Sequence, residues 1–293
     1  MRLNPFCMCC IINRQEKKIR SFKDEEKKAE YMKQVLRLLA DSGPDDCTAS
    51  LAVDVQKAFE AAWDVHEDLT PQKHEFNQLM LDLEDSLRSE IRNSPDPLET
   101  AMIYARIGNY IDFSALAHVD REEMLSLIRS ENKDPLDPEE YARLKEDLKA
   151  GSSLVYLTDN CGEIVLDKLV VEILKEQYPH LAVTVIVRGY PAANDATMED
   201  AREAGLDRIT QVIGNGSDVG GTWLPGISEE ARSLLYSADV ILSKGQGNFE
   251  TLHECGMNIY YLFLCKCEWF TTRFHARRLQ GMLVNEKRIG SSS

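Results

Sequence analysis

The sequence predicts an α/β protein in which a helical N-terminal domain, residues 1–150, precedes a mostly parallel sheet with helices on both faces, residues 151–293. Three observations predict it. From Lys23 to Ala150 apolar residues recur at helical spacing almost throughout. After Gly151 the period changes, and residues 154–157, 183–187, 208–213, 240–242 and 259–264 read as strands separated by helical or loop segments. Finally, the stretch from Leu154 to Asp167 reads as strand, polar turn and helix, with the helix opening at Glu163.

In chain order, the first twenty residues carry Pro5-Phe6-Cys7-Met8-Cys9-Cys10. Cys7 and Cys10 have the spacing that brings two sulfurs to one metal or into one redox pair. That is half a zinc site, with Cys265 and Cys267 as distant candidates for the other half; small thiols packed in a core fit the same residues. Tyr31, Val35, Leu38 and Leu39, then Leu51, Val55, Ala58, Phe59 and Ala62, then Phe76, Leu79, Met80, Leu83 and Leu87 form successive helix faces. Pro44, Pro71 and Ser94-Pro95-Asp96-Pro97 punctuate them, and the charges between are solvated faces. A helical pattern starting near Leu98 ends in Gly108-Asn109-Tyr110-Ile111-Asp112-Phe113. Gly108 would let another backbone come close, and Asn109 and Asp112 suit either a local cap or a site.

Beyond Gly151, Ile164, Val165, Leu169, Val170, Ile173 and Leu174 place apolar residues on more than one side of a helix, as a crossover helix requires. Open α/β sheets bind ligands beyond the carboxyl ends of their strands, and three such ends carry chemistry here. After the first strand, Asp159 and Asn160 offer oxygen ligands to a hard cation, although the pair also suits a plain turn and cap. After the second come Arg188, a permanent cation, and Asn194-Asp195, with Asp195 a third ligand that Asn194 would orient. Thr197 and Asp200 then resemble a capping box. The strand ending at Ser243 leads into Lys244-Gly245-Gln246-Gly247-Asn248-Phe249-Glu250, where Lys244 is a cation and Gly245 and Gly247 let backbone N–H groups approach an anion. The third glycine of a dinucleotide fingerprint is missing, and the strand comes late in the chain, so no Rossmann nucleotide site is expected. The glycine-rich loop at 214–222 reads as a substrate loop or lid, or as a plain surface loop. Two acids and an amide for a divalent ion, beside two cations for an anion, suit phosphoryl chemistry.

Composition narrows the classes. The chain has 49 acidic against 34 basic residues, a formal charge of -15, and no basic cluster, which excludes non-specific nucleic-acid binding. No apolar run approaches the roughly 20 residues of a membrane span, and no signal-peptide core is evident, so a cytoplasmic location without a membrane partner is expected. The eight cysteines then suggest thiols or a metal site before a disulfide framework.

The order Asp-Asn-x-Gly-Glu-x-x-x-Asp at 159–167, Arg-Gly-x-Pro-x-x-Asn-Asp-Ala-Thr at 188–197 and Lys-Gly-x-Gly-Asn-Phe-Glu at 244–250 resembles the metal-dependent damage-control phosphatases, long called domain of unknown function 89. Gly108-Asn109-x-x-Asp112-Phe113, the Asn-Gly-Ser-Asp loop at 215–218 and Lys266-Cys267 are similar too, and Cys7-x-x-Cys10 points to the cysteine-bearing branch. The resemblance spans essentially the whole chain. It implies a three-layer α/β domain that binds a divalent ion (Mn, Co, Ni or Mg) and hydrolyses small phosphorylated metabolites, as in metabolite repair. It further implies Asp159, Asn160 and Asp195 as metal ligands and Lys244 as the holder of the substrate phosphate. Glu163, Arg188, Asn194, Gly245 and Asn248 would line the pocket, and Asn109 and Asp112 would reach it from the helical part.

The first functional expectation is thus a metal-dependent phosphomonoester hydrolase acting on phosphosugars or damaged phosphometabolites. The nucleophile would be water activated at the cation or Asp159 itself, through an aspartyl phosphate. A haloacid-dehalogenase motif would put an acid two residues after that aspartate, where this chain has Cys161. The alternatives are an S-adenosylmethionine-dependent carboxyl methyltransferase, which the single glycine of Asp159-Asn160-Cys161-Gly162 suits poorly, and a non-catalytic phosphometabolite-binding protein.

Overall fold

The computed structural model describes residues 3–111, 121–130 and 134–290. The chain divides into two compact units, Met1–Asp68 and Leu69–Ser293. The described residues of the first unit form three helices, α1 (Pro5–Ile19), α2 (Glu25–Ala40) and α3 (Thr48–Trp63). Pro5 opens α1 where no amide donor is needed, and Asn4 caps it by accepting from the Cys7 N–H. Asp24 does the same for α2 through the Lys27 N–H. Ile11, Ile19, Tyr31, Val35, Leu39, Leu51, Val55 and Phe59 close on one core, where Tyr31 lies edge-on to Trp63 with ring centroids 4.8 Å apart. The Cys-x-x-Cys pair sits within α1, Cys7 buried and Cys10 exposed, and among the described residues no two cysteines are joined in a disulfide.

The second unit begins with α4 (Thr70–Asn93), α5 (Pro97–Gly108), α6 (Arg121–Arg129) and α7 (Pro138–Ala150). The alternation follows: β1 (Ser153–Leu157), α8 (Glu163–Gln177), β2 (Ala182–Val187), α9 (Met198–Ala204), β3 (Gln211–Gly214), α10 (Glu229–Ser237), β4 (Val240–Lys244), α11 (Gly245–Leu252), β5 (Ile259–Leu264), α12 (Glu268–Arg273) and β6 (Gly281–Asn285). The change of period at Gly151 is therefore not where the compact units divide. Helices α4 and α5 pack on α8, the sheet's own crossover helix, and belong to its unit. Gly108 makes one such approach possible: a Cβ there would stand 2.7 Å from Leu166 Cδ1 and 3.3 Å from the Glu163 Cα.

Among the described residues the strands form one sheet in the order β3-β2-β1-β4-β5-β6, parallel except for β6, which runs antiparallel to β5. Strand alternation sends Leu154, Tyr156, Val183, Val185, Leu242, Tyr260 and Leu262 into a core shared with α4, α5, α7 and α8. On the other face Tyr261 and Phe263 meet Phe249 of α11 and Phe270 of α12, with centroids 4.9 to 5.8 Å apart. The sheet is thus covered on both faces. Because β1 lies between β2 and β4, its neighbours lead away in opposite directions, and the crevice at the carboxyl ends of β1 and β4 is the switch point where such sheets bind ligands.

Three local readings change. The strand expected over 208–213 starts at Gln211, because Leu206–Arg208 makes a single tight helical turn after Gly205. The antiparallel edge strand β6 was not predicted. Lys244 is the last residue of β4, and α11 begins at Gly245 with no intervening loop. The capping box of Thr197 and Asp200 forms as the spacing predicts. Among the described residues no helix is long and apolar enough to cross a membrane.

Candidate active site

Backbone pairing brings the first two strand ends together. The Ala196 N–H donates to the Asp159 carbonyl at 2.7 Å and the Cys161 N–H to the Asn194 carbonyl at 2.8 Å, so Asn160 and Asp195 face each other as a bridge pair. Both loops are thereby held in register by main-chain bonds. Asp159 Oδ2 accepts from Asn109 Nδ2 at 2.8 Å and from Asn160 Nδ2 at 2.7 Å. Asn160 also donates to Glu163 Oε2 at 2.9 Å, while its own oxygen accepts from Asn194 Nδ2 at 3.0 Å. Arg188, fully buried, donates from Nε to Asp195 Oδ2 at 2.6 Å, and its Nη2 lies 3.8 Å from Asp159 Oδ1 and bonds the Thr158 carbonyl and Asn248 Oδ1. Among the described residues its buried Nη1 has no hydrogen-bond partner.

Beneath these groups lies a second set of charges. Lys244, fully buried, donates to Glu163 Oε1 at 2.6 Å, Asp167 Oδ1 at 2.9 Å and the Ala105 carbonyl at 2.9 Å, which engages all three ammonium protons. Tyr156 donates to the same Asp167 oxygen at 2.6 Å. Burial works against the Lys244 ammonium, but Asp167 and Glu163 outweigh it and hold its pKa above the ordinary lysine value. Burial pushes the Asp167 carboxyl up, against the pull of Lys244, to about 6. A carboxyl raised in the folded state contributes stability that is present below its unfolded pKa and lost as pH rises through its folded one. Asp167→Asn is therefore expected to flatten a loss of stability, of order 2 kcal/mol between about pH 4 and about pH 7, that wild type shows in urea titrations at stepped pH.

Side chains from α4 support the same loops. Asn77 accepts from the Gly162 N–H at 2.5 Å and donates to Asp200 at 2.9 Å, and Lys73 donates to the Asp195 carbonyl at 2.9 Å while pairing with Asp200 at 2.7 Å. The 214–222 loop is packed rather than open: Asn215, Ser217 and Thr222 are buried, the Gly221 N–H donates to Asp195 Oδ2 at 3.2 Å, and Thr222 donates to Asn248 Oδ1 at 2.7 Å. It lines the constellation as a wall.

The structure thus joins Asn109, Asp159, Asn160, Glu163, Arg188, Asn194, Asp195, Lys244 and Asn248 in one hydrogen-bonded group, with Gly245 against the Asp159 carboxylate. Asp112 lies outside the described residues. Asp167 was visible in the 159–167 motif but given no role; its place one helical turn beyond Glu163 was the available signal. Lys73 and Asn77 had no signal, because a polar residue on a long helix reads as solvent-facing. Cys161 is buried, and burial pushes its thiol up, so it offers no acid or base beside Asp159. Among the described residues no group of three or more His, Cys, Asp and Glu side chains is arranged to hold a metal. The oxygen donors at the two paired loops are instead two carboxylates, Asp159 and Asp195, with the amides of Asn160 and Asn194 between them.

A doubly wound sheet with buried carboxylates, amides and an arginine at its switch point defines a class of α/β proteins with an oxygen-rich crevice. The chain matches the Damage-control phosphatase ARMT1-like domain over residues 3–279 and belongs to that family, as its motifs led us to expect. It is similar to a damage-control phosphatase of Archaeoglobus fulgidus, 30% identical over 273 residues that cover 92% of this chain and 93% of that one. It is also similar to damage-control phosphatase PH1575 of Pyrococcus horikoshii, 36% identical over 170 residues, 58% of each chain. The crystal structure of PH1575, a DUF89 family protein, matches with a TM-score of 0.77 at 25% identity, covering 98% of this chain and 99% of that one.

Proposed function

We propose that this chain is a metal-dependent phosphatase acting on small phosphorylated metabolites in the cytoplasm. One observation carries the reading. Within the hydrogen-bonded group the carboxylates of Asp159 and Asp195 are both buried and are brought to one place by the pairing of their loops, with the Asn160 amide between them. Two buried carboxylates and an amide oxygen side by side are the hard oxygen ligands that suit a divalent ion. The names of the relatives support phosphatase chemistry.

In this reading Asp159, Asn160 and Asp195 hold the ion, with Asn194 orienting Asn160. A bound Mn, Co, Ni or Mg ion would draw charge from the phosphate oxygens. The Arg188 Nη1 amino group has no partner among the described residues and is the donor this reading gives to phosphate. The phosphate contact expected of Lys244 passes to Arg188, because the three Lys244 protons are already engaged. Lys244 instead holds Glu163 and Asp167 in place. Asn248 fixes Arg188 from α11, and Asn109 fixes Asp159 from the end of α5.

The test is phosphate release by chelator-stripped protein from p-nitrophenyl phosphate and a panel of phosphosugars, with each divalent ion added back. Release is expected only with metal, to vanish in Asp159→Ala, and to fall by about 10²-fold or more in Asp195→Asn. Folded protein that releases no phosphate with any metal, or that is stabilised against heat by S-adenosylmethionine alone, would overturn the proposal.

A further inference from the structure

We infer that Glu163 is a positioning residue that fixes which atom of the Asn160 amide is offered to a cation, rather than a group that contacts substrate. The inference rests on the metal-dependent reading above. An amide side chain has two orientations that exchange its oxygen and its NH2, and only the hydrogen-bond partners choose between them. On one side Asn160 faces Asp159 Oδ2 at 2.7 Å and Glu163 Oε2 at 2.9 Å, both acceptors, so its NH2 must point there. Its oxygen is turned to the opposite side, where Asn194 donates to it. The flipped amide would set its oxygen against two carboxylate oxygens and its NH2 against the NH2 of Asn194.

Glu163 is itself held. Lys244 donates to its other oxygen, Oε1, at 2.6 Å, Asn109 donates to Oε2 at 3.0 Å, and neither Glu163 nor Lys244 is exposed. Lys244 therefore sets the outcome of an amide at position 163. In Glu163→Gln the lysine, which can only donate, claims the new amide oxygen, so the new NH2 faces Asn160 and demands its oxygen. Asn160 thereby loses its acceptor at position 163 and is pushed from the orientation that Asp159 and Asn194 still favour toward one that offers NH2, which cannot ligate a cation.

The measurement is Mn²⁺ binding to chelator-stripped protein by titration calorimetry, with no substrate present. Glu163→Gln is expected to weaken binding by about 10- to 100-fold, the usual range for residues that orient ligands. Asp167→Asn removes a charge from the same network without touching Asn160 and is expected to change binding by less than about threefold. The double variant Asn160→Asp with Glu163→Gln restores the wild-type charge, and its new carboxylate has no orientation to lose; binding is expected to recover to within about threefold of wild type. Glu163→Gln binding like wild type, Asp167→Asn losing as much as Glu163→Gln, or a double variant no better than Glu163→Gln would each overturn the inference. If Glu163→Gln alone does not fold, Asn160→Asp with and without Glu163→Gln decides it: no loss on adding the second change supports the role, and a tenfold loss refutes it. Wild type that binds no divalent ion would instead overturn the metal-dependent reading itself.

Discussion

Gly245→Ala is expected to destabilise the chain by about 3 to 5 kcal/mol and to abolish phosphate release, although it adds one methyl group. Two effects combine. Gly245 has φ +79°, a conformation that costs an alanine about 1 to 2 kcal/mol. The added Cβ would also overlap Oδ2 and Cγ of Asp159 and stand 2.7 Å from its Oδ1. Neither side can yield cheaply. Gly245 is the first residue of α11, directly after β4, and Asp159 is tied by Asn109 and Asn160. Gly256→Ala is the control, since Gly256 has φ +78° with no atom within 4 Å of a new Cβ. It is expected to lose only about 1 kcal/mol and no activity. Comparing the two urea midpoints separates backbone strain from the contact with Asp159; equal losses would mean that Asp159 can move aside.

The same position illustrates what could be read from the chain. A glycine directly after a strand-end lysine was legible as a place of close approach, because only a missing Cβ permits one. That the approaching group would be a carboxylate from β1 was not legible, since it depends on β4 lying beside β1, and strand order leaves no mark on local sequence. The five parallel strands were visible through their runs of β-branched and apolar residues, whereas β6 at the sheet edge has a mixed burial pattern and left no such run. Asp159, Asn160 and Asp195 stood out by their places after strands. Lys244 stood out for the same reason, but position does not reveal that Asp167, far earlier in the chain on α8, had already claimed one of its protons. Helices α4 and α5 read correctly as helices, yet their polar inward residues Lys73, Asn77 and Asn109 serve the sheet's loops. Helical periodicity marks only the apolar face and is silent about a polar group turned the same way.

Arg188→Met is expected to separate binding of the cation from use of it. Methionine fills much of the volume of the arginine stem but takes the buried guanidinium away from the Asp159 and Asp195 carboxylates, which lie 3.8 Å and 2.6 Å from it. Removing one partner of such a pair typically costs about 3 to 5 kcal/mol, so in chelator the variant should unfold at clearly lower urea than wild type. A divalent ion binding at those carboxylates stabilises only the folded chain, and it meets one positive charge fewer in the variant. Added Mn²⁺ should therefore raise the midpoint of Arg188→Met by more than it raises that of wild type, and calorimetry should show equal or tighter binding. Turnover moves the other way, falling by about 10²- to 10³-fold, because the donor retained for phosphate is lost. Stability, ion affinity and rate thus shift in a combination that simple misfolding cannot produce, since misfolding would lower all three. If Mn²⁺ stabilises wild type and Arg188→Met equally, the ion does not sit between Asp159 and Asp195, and the assignment of those two carboxylates as its ligands is wrong.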